Sequence, residues 1–216
     1  MDSTDRLIAR LADGLTPVAR LARPWARALG LVLLASAIIA LLVLLRGLRA
    51  DMAGRMVDEA YWLQLAGAWL TGASATLAAF EVSLPDRSRR WLLLPLPALG
   101  LWLSGFGYTC LADWIAIPAG APVAYDSVRC LETILLASLP LGFVLWRMLG
   151  RARPLAPAPV AWTAALAIAG FADAAHLLIH VVQASALVLV INLVPATVIV
   201  LAGGMLGRRG LSRAPA

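Results

Sequence analysis

Apolar residues along the chain gather into six long runs, separated by short polar segments. The runs are about Leu29–Leu45, Tyr61–Phe80, Trp91–Cys110, Cys130–Leu149, Val160–His180 and Ala184–Leu206. Each is about 17–23 residues long, close to what a helix needs to cross roughly 30 Å of hydrocarbon. The pattern predicts an all-α fold, a polytopic membrane protein built as a six-transmembrane-helix bundle. Pro140 falls inside the fourth run and is predicted to kink it, and Pro195 falls inside the sixth. The polar segments are too short for a second soluble domain. The chain therefore divides into a cytoplasmic segment (1–24), a transmembrane domain (25–209) and a short cytoplasmic tail (210–216).

The first segment has a pattern of its own. Leu7, Ile8, Leu11, Leu15 and Val18 recur at helical spacing after Asp2-Ser3-Thr4, which can cap a helix, while Arg6, Arg10 and Asp13 lie off that stripe. Pro17 and Pro24 limit the helix to about three turns, a length that is marginal alone in water. The stripe calls for a partner: the membrane domain, the lipid surface or another protein. No cleavable signal peptide is expected, because too many polar or mixed residues precede Leu29 and the run that follows is long enough to span.

Composition agrees with the pattern. The chain is 62% hydrophobic and 14% charged, with a mean hydropathy of +0.86, against about half apolar and a quarter charged in soluble domains. The net charge of +6 comes with arginine as the only basic residue type besides two histidines. The arginines flank the apolar runs, so they point to topology and anionic lipid rather than to nucleic acid. The absence of Lys, with much Ala, Leu and Gly, suggests a GC-rich bacterial genome.

Counting arginines orients the chain. Arg6, Arg10, Arg20, Arg23, Arg27, Arg87, Arg89, Arg90, Arg147, Arg151, Arg153, Arg208, Arg209 and Arg213 fall on one side, and Arg46, Arg49, Arg55 and Arg129 on the other. The expected topology is N-in/C-in, which only an even number of spans permits. Trp25, Trp62, Trp91, Trp114, Trp146 and Trp162 sit near span ends, as amphipathic rings should; Trp69 and Trp102 do not. Gly67, Thr71, Ala75 and Ala79 form a small-residue ridge on the second run, and Gly203 and Gly207 a GxxxG on the sixth. These read as packing seams of one bundle, with a dimer contact as the alternative.

Candidate chemistry is sparse. Cys110 and Cys130 end the third run and open the fourth, on the expected outer side, where two thiols form a disulfide if their helices are neighbours; the alternative is two small packing residues. Asp173, His176 and His180 lie at i, i+3 and i+7 on one face of the fifth run and are candidate metal ligands. The plainer reading pairs Asp173 with His176 and sends His180 to the interface. Glu132 is near enough in sequence to the fourth span's start to join either arrangement. Gln64 and Asn192 read as polar links between helices. No HExxH, CxxC, GxSxG or phosphate-binding glycine loop is present, so neither an enzyme nor a cofactor is expected.

Several segments carry a family resemblance. Asp5 to Leu11 with Thr16-Pro17-Val18, the Ser83-Leu84-Pro85-Asp86-Arg87-Ser88-Arg89-Arg90-Trp91 turn, Cys130 followed by Ser138-Leu139-Pro140, and Gly204 to Arg209 resemble the NrsF-type anti-sigma factors. The resemblance covers nearly the whole chain, and the turn and the Cys-to-Ser-Leu-Pro segment are its most specific parts. It implies a six-span inner-membrane regulator that holds an extracytoplasmic-function (ECF) sigma factor through cytoplasmic segments and releases it under oxidative or heavy-metal stress. It also implies that outer cysteines take part in the response, with Cys130 at one such position. The family commonly has a second cysteine directly after the histidine matched by His180; here that residue is Val181, leaving Cys110 as the substitute or a different sensing chemistry. The sigma-factor contact is expected on Leu7, Ile8, Leu11, Leu15 and Val18, with no direct nucleic-acid contact and the oligomeric state open. The rival readings are a small transporter or channel with a polar pathway through Asp173, His176 and Glu132, and a membrane redox subunit, which needs more His ligands than two.

Overall fold

A computed structural model describes residues 3–13, 21–116, 127–180 and 205, and within these the chain is all-helical. Helix α1 (Ser3–Asp13) is followed by α2 (Pro24–Arg46), a short α3 (Met52–Arg55), α4 (Glu59–Val82), a 3-10 turn (Arg89–Leu93), α5 (Leu96–Ala116), α6 (Ser127–Gly150) and α7 (Pro157–Ile179). Four helices are long and apolar enough to cross a membrane: Pro24–Arg46, Glu59–Val82, Glu132–Gly150 within α6, and Pro157–Ile179. At about 1.5 Å per residue, the 23 residues of α2 reach about 34 Å. The described residues thus support four of the six expected spans. The third run is helical as α5, with only part of its side chains described, and the sixth run, Ala184–Leu206, lies outside the described residues apart from Met205.

Local chemistry sets the helix ends. Pro24 occupies the first turn of α2, where its missing N–H has no partner to lose. Gly47 closes that helix at φ +82°, a backbone setting that L side chains rarely adopt, while its N–H reaches the Val43 carbonyl at 2.8 Å. Asp58 caps α4 by accepting from the Ala60 N–H at 3.1 Å. The third run starts later than its hydropathy suggests. Residues 89–93 wind as a 3-10 turn capped by Ser88, and α5 begins only between Pro95 and Pro97, where prolines are tolerated in a first turn. Pro140 lies inside α6, which stays one helix from Ser127 to Gly150.

Contacts across the bundle establish an up-and-down arrangement. Arg27, at the start of α2, meets Phe80 at the end of α4 and Met148 at the end of α6. Arg46, at the end of α2, pairs with Glu132 near the start of α6, and Tyr61, at the start of α4, meets Leu177 at the end of α7. Gly67 faces Trp102 and Gly105 faces Gln64, so α4 and α5 run antiparallel. One end of the bundle therefore carries Arg23, Arg27, Arg87, Arg89, Arg90, Arg147, Arg151 and Arg153, and is called here the basic end. Arg46, Arg49 and Arg55 lie at the opposite end.

Among the described helices α4 and α7 form the centre: 72% of α7's apolar window is buried, against 61% for α4 and 28% for α2. Their close approach rests on missing side chains. A Cβ on Gly67 would stand 2.4 Å from the Trp102 backbone nitrogen, and one on Gly170 would stand 2.7 Å from the Ala68 carbonyl oxygen. Small residues let helices pack where lipid supplies no hydrophobic drive between them. The ridge of Gly67, Thr71, Ala75 and Ala79 is buried inside the monomer, so it is an internal seam rather than a dimer face. Gly203 and Gly207 lie outside the described residues. Trp69 and Trp102 both serve packing within the bundle: Trp69 meets the Phe171 ring edge-on at 5.1 Å, and Trp102 reaches α7 through its indole N–H.

Candidate functional site

The end opposite the basic one holds a polar network built on an unusual arginine. The last carbonyls of any helix lack intrahelical partners. Here those of α7 are taken by the chain that follows α2. The Arg49 N–H donates to the Leu178 carbonyl at 3.0 Å, and Arg49 Nη1 donates to the Leu177 carbonyl at 3.3 Å. Tyr61 donates its hydroxyl to the same Leu177 oxygen at 3.3 Å, and the Arg49 guanidinium lies 5.5 Å from the Tyr61 ring centroid. Asp51 balances the charge: Nε and Nη2 of Arg49 grip its two oxygens at 2.6 and 2.9 Å. Arg55 extends the network to Asp58 at 2.9 Å, and Asp58 also caps α4.

The Arg49 side chain is only 2% exposed, whereas Asp51 is 38% exposed. The guanidinium of Arg49 beside it holds the Asp51 carboxyl below the usual carboxylate range, with some opposition from partial burial. Nothing in the sequence separated Arg49 from the other outer arginines, because the contacts that hold it against α7 are to backbone carbonyls on a helix 128 residues away.

The fifth run's polar residues take different partners. Asp173 accepts from the Trp102 indole N–H at 2.8 Å, which corrects the expected Asp173–His176 pairing. A carboxylate inside an apolar bundle needs a donor, and the indole on α5 faces it. His176 and His180 stack at 5.2 Å between ring centroids, with 28° between planes. His180 Nε2 lies 2.8 Å from Thr133 Oγ1 on α6, so this histidine joins two helices. Among the described residues, no group of three or more His, Cys, Asp and Glu could hold a metal ion. The three residues of the polar-pathway reading each have a separate contact: Asp173 with Trp102, His176 with His180, and Glu132 with Arg46 at 2.6 Å.

Cys110 lies within α5, which continues to Ala116, and Cys130 is in the first turn of α6. Their side chains and the 117–126 segment between the helices fall outside the described residues. Cys130 precedes Thr133 by three residues, so the backbone sets it about one turn from the residue that meets His180.

At the N-terminus, α1 presents Leu7, Ile8 and Leu11 at 57%, 58% and 64% exposure. The bundle does not cover this stripe. Leu15 and Val18 lie outside the described residues. On this 11-residue amphipathic helix Ile8 and Leu11 stand at i, i+3 and Leu7 and Leu11 at i, i+4, spacings with which such helices enter a partner's groove.

A family model described as NrsF, negative regulator of sigma F, matches residues 11–212 of the chain. Comparison with curated proteins and with solved structures finds no match.

Proposed function

The chain belongs to the NrsF family, the negative regulators of sigma F, and from that membership we propose that it is a membrane-bound anti-sigma factor for an ECF sigma factor. Negative regulation of a sigma factor follows from the family itself. The proposed additions are the inner-membrane setting, the six spans with both termini in the cytoplasm, the ECF class of the partner, and release under oxidative or heavy-metal stress sensed by Cys130 with Cys110. The arrangement of arginines at one end of the bundle supports a cytoplasmic placement of that end.

The observation that carries the reading is the exposed apolar stripe of α1. Leu7, Ile8 and Leu11 are each more than half exposed on a helix too short to be stable alone in water. A sigma factor that receives this face in a groove gains the burial that the bundle does not provide. Arg6 and Arg10 lie off the stripe and remain at the rim.

Co-purification of the sigma factor with the full-length, membrane-inserted protein tests the reading. Ile8→Asp and Leu11→Asp should each abolish retention, because a charge placed in an apolar contact costs several kcal/mol. Arg6→Gln and Arg10→Gln should leave retention largely intact. Full retention by the inserted Leu11→Asp protein moves the contact elsewhere, to the 83–90 and 147–153 turns.

A further inference from the structure

At the basic end of the bundle, Arg27 is a buried cation with no counter-ion among the described residues. Arg27, in the first turn of α2, is 7% exposed. Its Nη2 donates to the Met148 carbonyl on α6, and its guanidinium carbon lies 4.3 Å from the centroid of the Phe80 ring on α4. Its Nη1 is buried without a hydrogen-bond partner. None of the ion pairs among the described residues includes Arg27. Glu81, the buried acid beside Phe80, is engaged by Arg87 at 3.2 Å. Arg151, another cation, stands three residues beyond Met148, about one turn past the carbonyl that Arg27 holds, on the exposed turn after α6.

A guanidinium withdrawn from water is costly unless a full opposite charge accompanies it. A carbonyl and a ring face supply partial charges only, and Arg151, one turn beyond Met148, is another cation. Among the described residues the arrangement is one anion short. Depth identifies the class of anion. Arg27 lies in the opening turn of an apolar 23-residue helix, and exposed Trp25 and Trp146 flank this end, as aromatic residues do at the level of lipid headgroups. Below it, Leu29 and Leu33 are exposed as acyl-chain contacts would be. The anion available at that depth is a headgroup phosphate, and guanidinium groups match phosphate geometry well.

We propose that Arg27 and Arg151 form a binding site for the phosphate of an anionic phospholipid at the basic end of the bundle. Arg151, on the open side, donates hydrogen bonds to the phosphate, and Arg27 behind it supplies the balancing charge. The site rests on the bundle lying in a bilayer, not on the sigma-factor reading. Inorganic phosphate shares the chemistry but lacks the acyl chains that would lie along Leu29 and Leu33.

Native mass spectrometry of the purified full-length protein with added phosphatidylglycerol, phosphatidylcholine or inorganic phosphate tests it. The wild type should retain phosphatidylglycerol in preference to phosphatidylcholine. Arg151→Gln should lower that retention about tenfold, the loss expected for one charge-assisted hydrogen bond. Arg27→Gln should lower it at least as far, and Arg27→Lys should restore part of it. Where Arg27→Gln fails to fold, Arg151→Gln and Arg27→Lys decide the matter alone. Equal retention of both lipids, or unchanged phosphatidylglycerol retention in Arg151→Gln, overturns the site. Stabilisation by inorganic phosphate equal to that by phosphatidylglycerol overturns the lipid assignment. Failure of the protein to incorporate into phosphatidylglycerol nanodiscs overturns the bilayer premise instead.

Discussion

Thr133 Oγ1 and His180 Nε2 lie 2.8 Å apart although 47 residues separate them in the chain. The bond ties the opening turns of α6, which hold Cys130, to the residue that caps the end of α7. Arg49 grips the same α7 terminus through the Leu177 and Leu178 carbonyls. A change at the start of α6 is therefore mechanically joined to α7 and to the 47–58 segment.

The proposed sensing by Cys130 with Cys110 carries an expectation for the thiols. A membrane-impermeant maleimide should label Cys110 and Cys130 in reduced cells and neither after oxidant treatment. Cys130→Ser should leave the sigma factor insensitive to oxidant, either held or released. A Cys110→Ser/Cys130→Ser protein that still responds normally to oxidant and to metal returns both residues to ordinary packing.

Topology is open to fusion reporters. A reporter active only in the cytoplasm should work after Arg90 and after Arg153, and stay silent within 52–58. A cytoplasmic signal from 52–58 overturns the proposed orientation, and with it the proposed placement of Cys130 on the outer face.

The glycine seam gives a stability prediction that is independent of function. Gly67→Leu must push the α5 backbone away, since even a Cβ would stand 2.4 Å from the Trp102 nitrogen. Overpacking of this kind costs about 1–3 kcal/mol or more. Thermal unfolding in detergent should show a clear drop in Tm for Gly67→Leu and little change for Gly30→Leu, where a Cβ meets nothing within 4 Å.

Asp51 sets an acid dependence. Its folded carboxyl titrates below its unfolded value, first because of its hydrogen bond to Arg49. The stabilisation is therefore complete above the unfolded pKa of about 3.9 and is lost as pH falls through the lower folded value. Trypsin should cleave at Arg49 and Arg55 slowly at neutral pH. Asp51→Asn should speed that cleavage at pH 7, whereas lowering the wild type from pH 8 to pH 5.5 should not. Equal cleavage of Asp51→Asn and wild type removes the ion pair from any role in holding the segment.

The all-helical architecture, the cores of the first five apolar runs and the amphipathic character of α1 were legible in the chain itself. Each is a property of one segment: an apolar run of bilayer length must close its backbone hydrogen bonds within itself, so hydropathy alone announces a helix. The family was legible too, from the 83–91 turn and the Cys130-to-Pro140 segment, and the match over 11–212 agrees. Partners across the bundle were not legible. Asp173 was expected to meet His176, one turn away on its own helix, yet it bonds Trp102 on α5, because antiparallel packing through Gly67 and Gly105 carries that indole to it. Arg49 and Arg27 looked like ordinary flanking charges, and only the tertiary arrangement buries them. Arg49 ends against carbonyls that α7 cannot satisfy itself, and Arg27 lies where three helix ends converge. Segment chemistry decided which residues form helices; the close approach of glycine-bearing surfaces decided which polar groups meet.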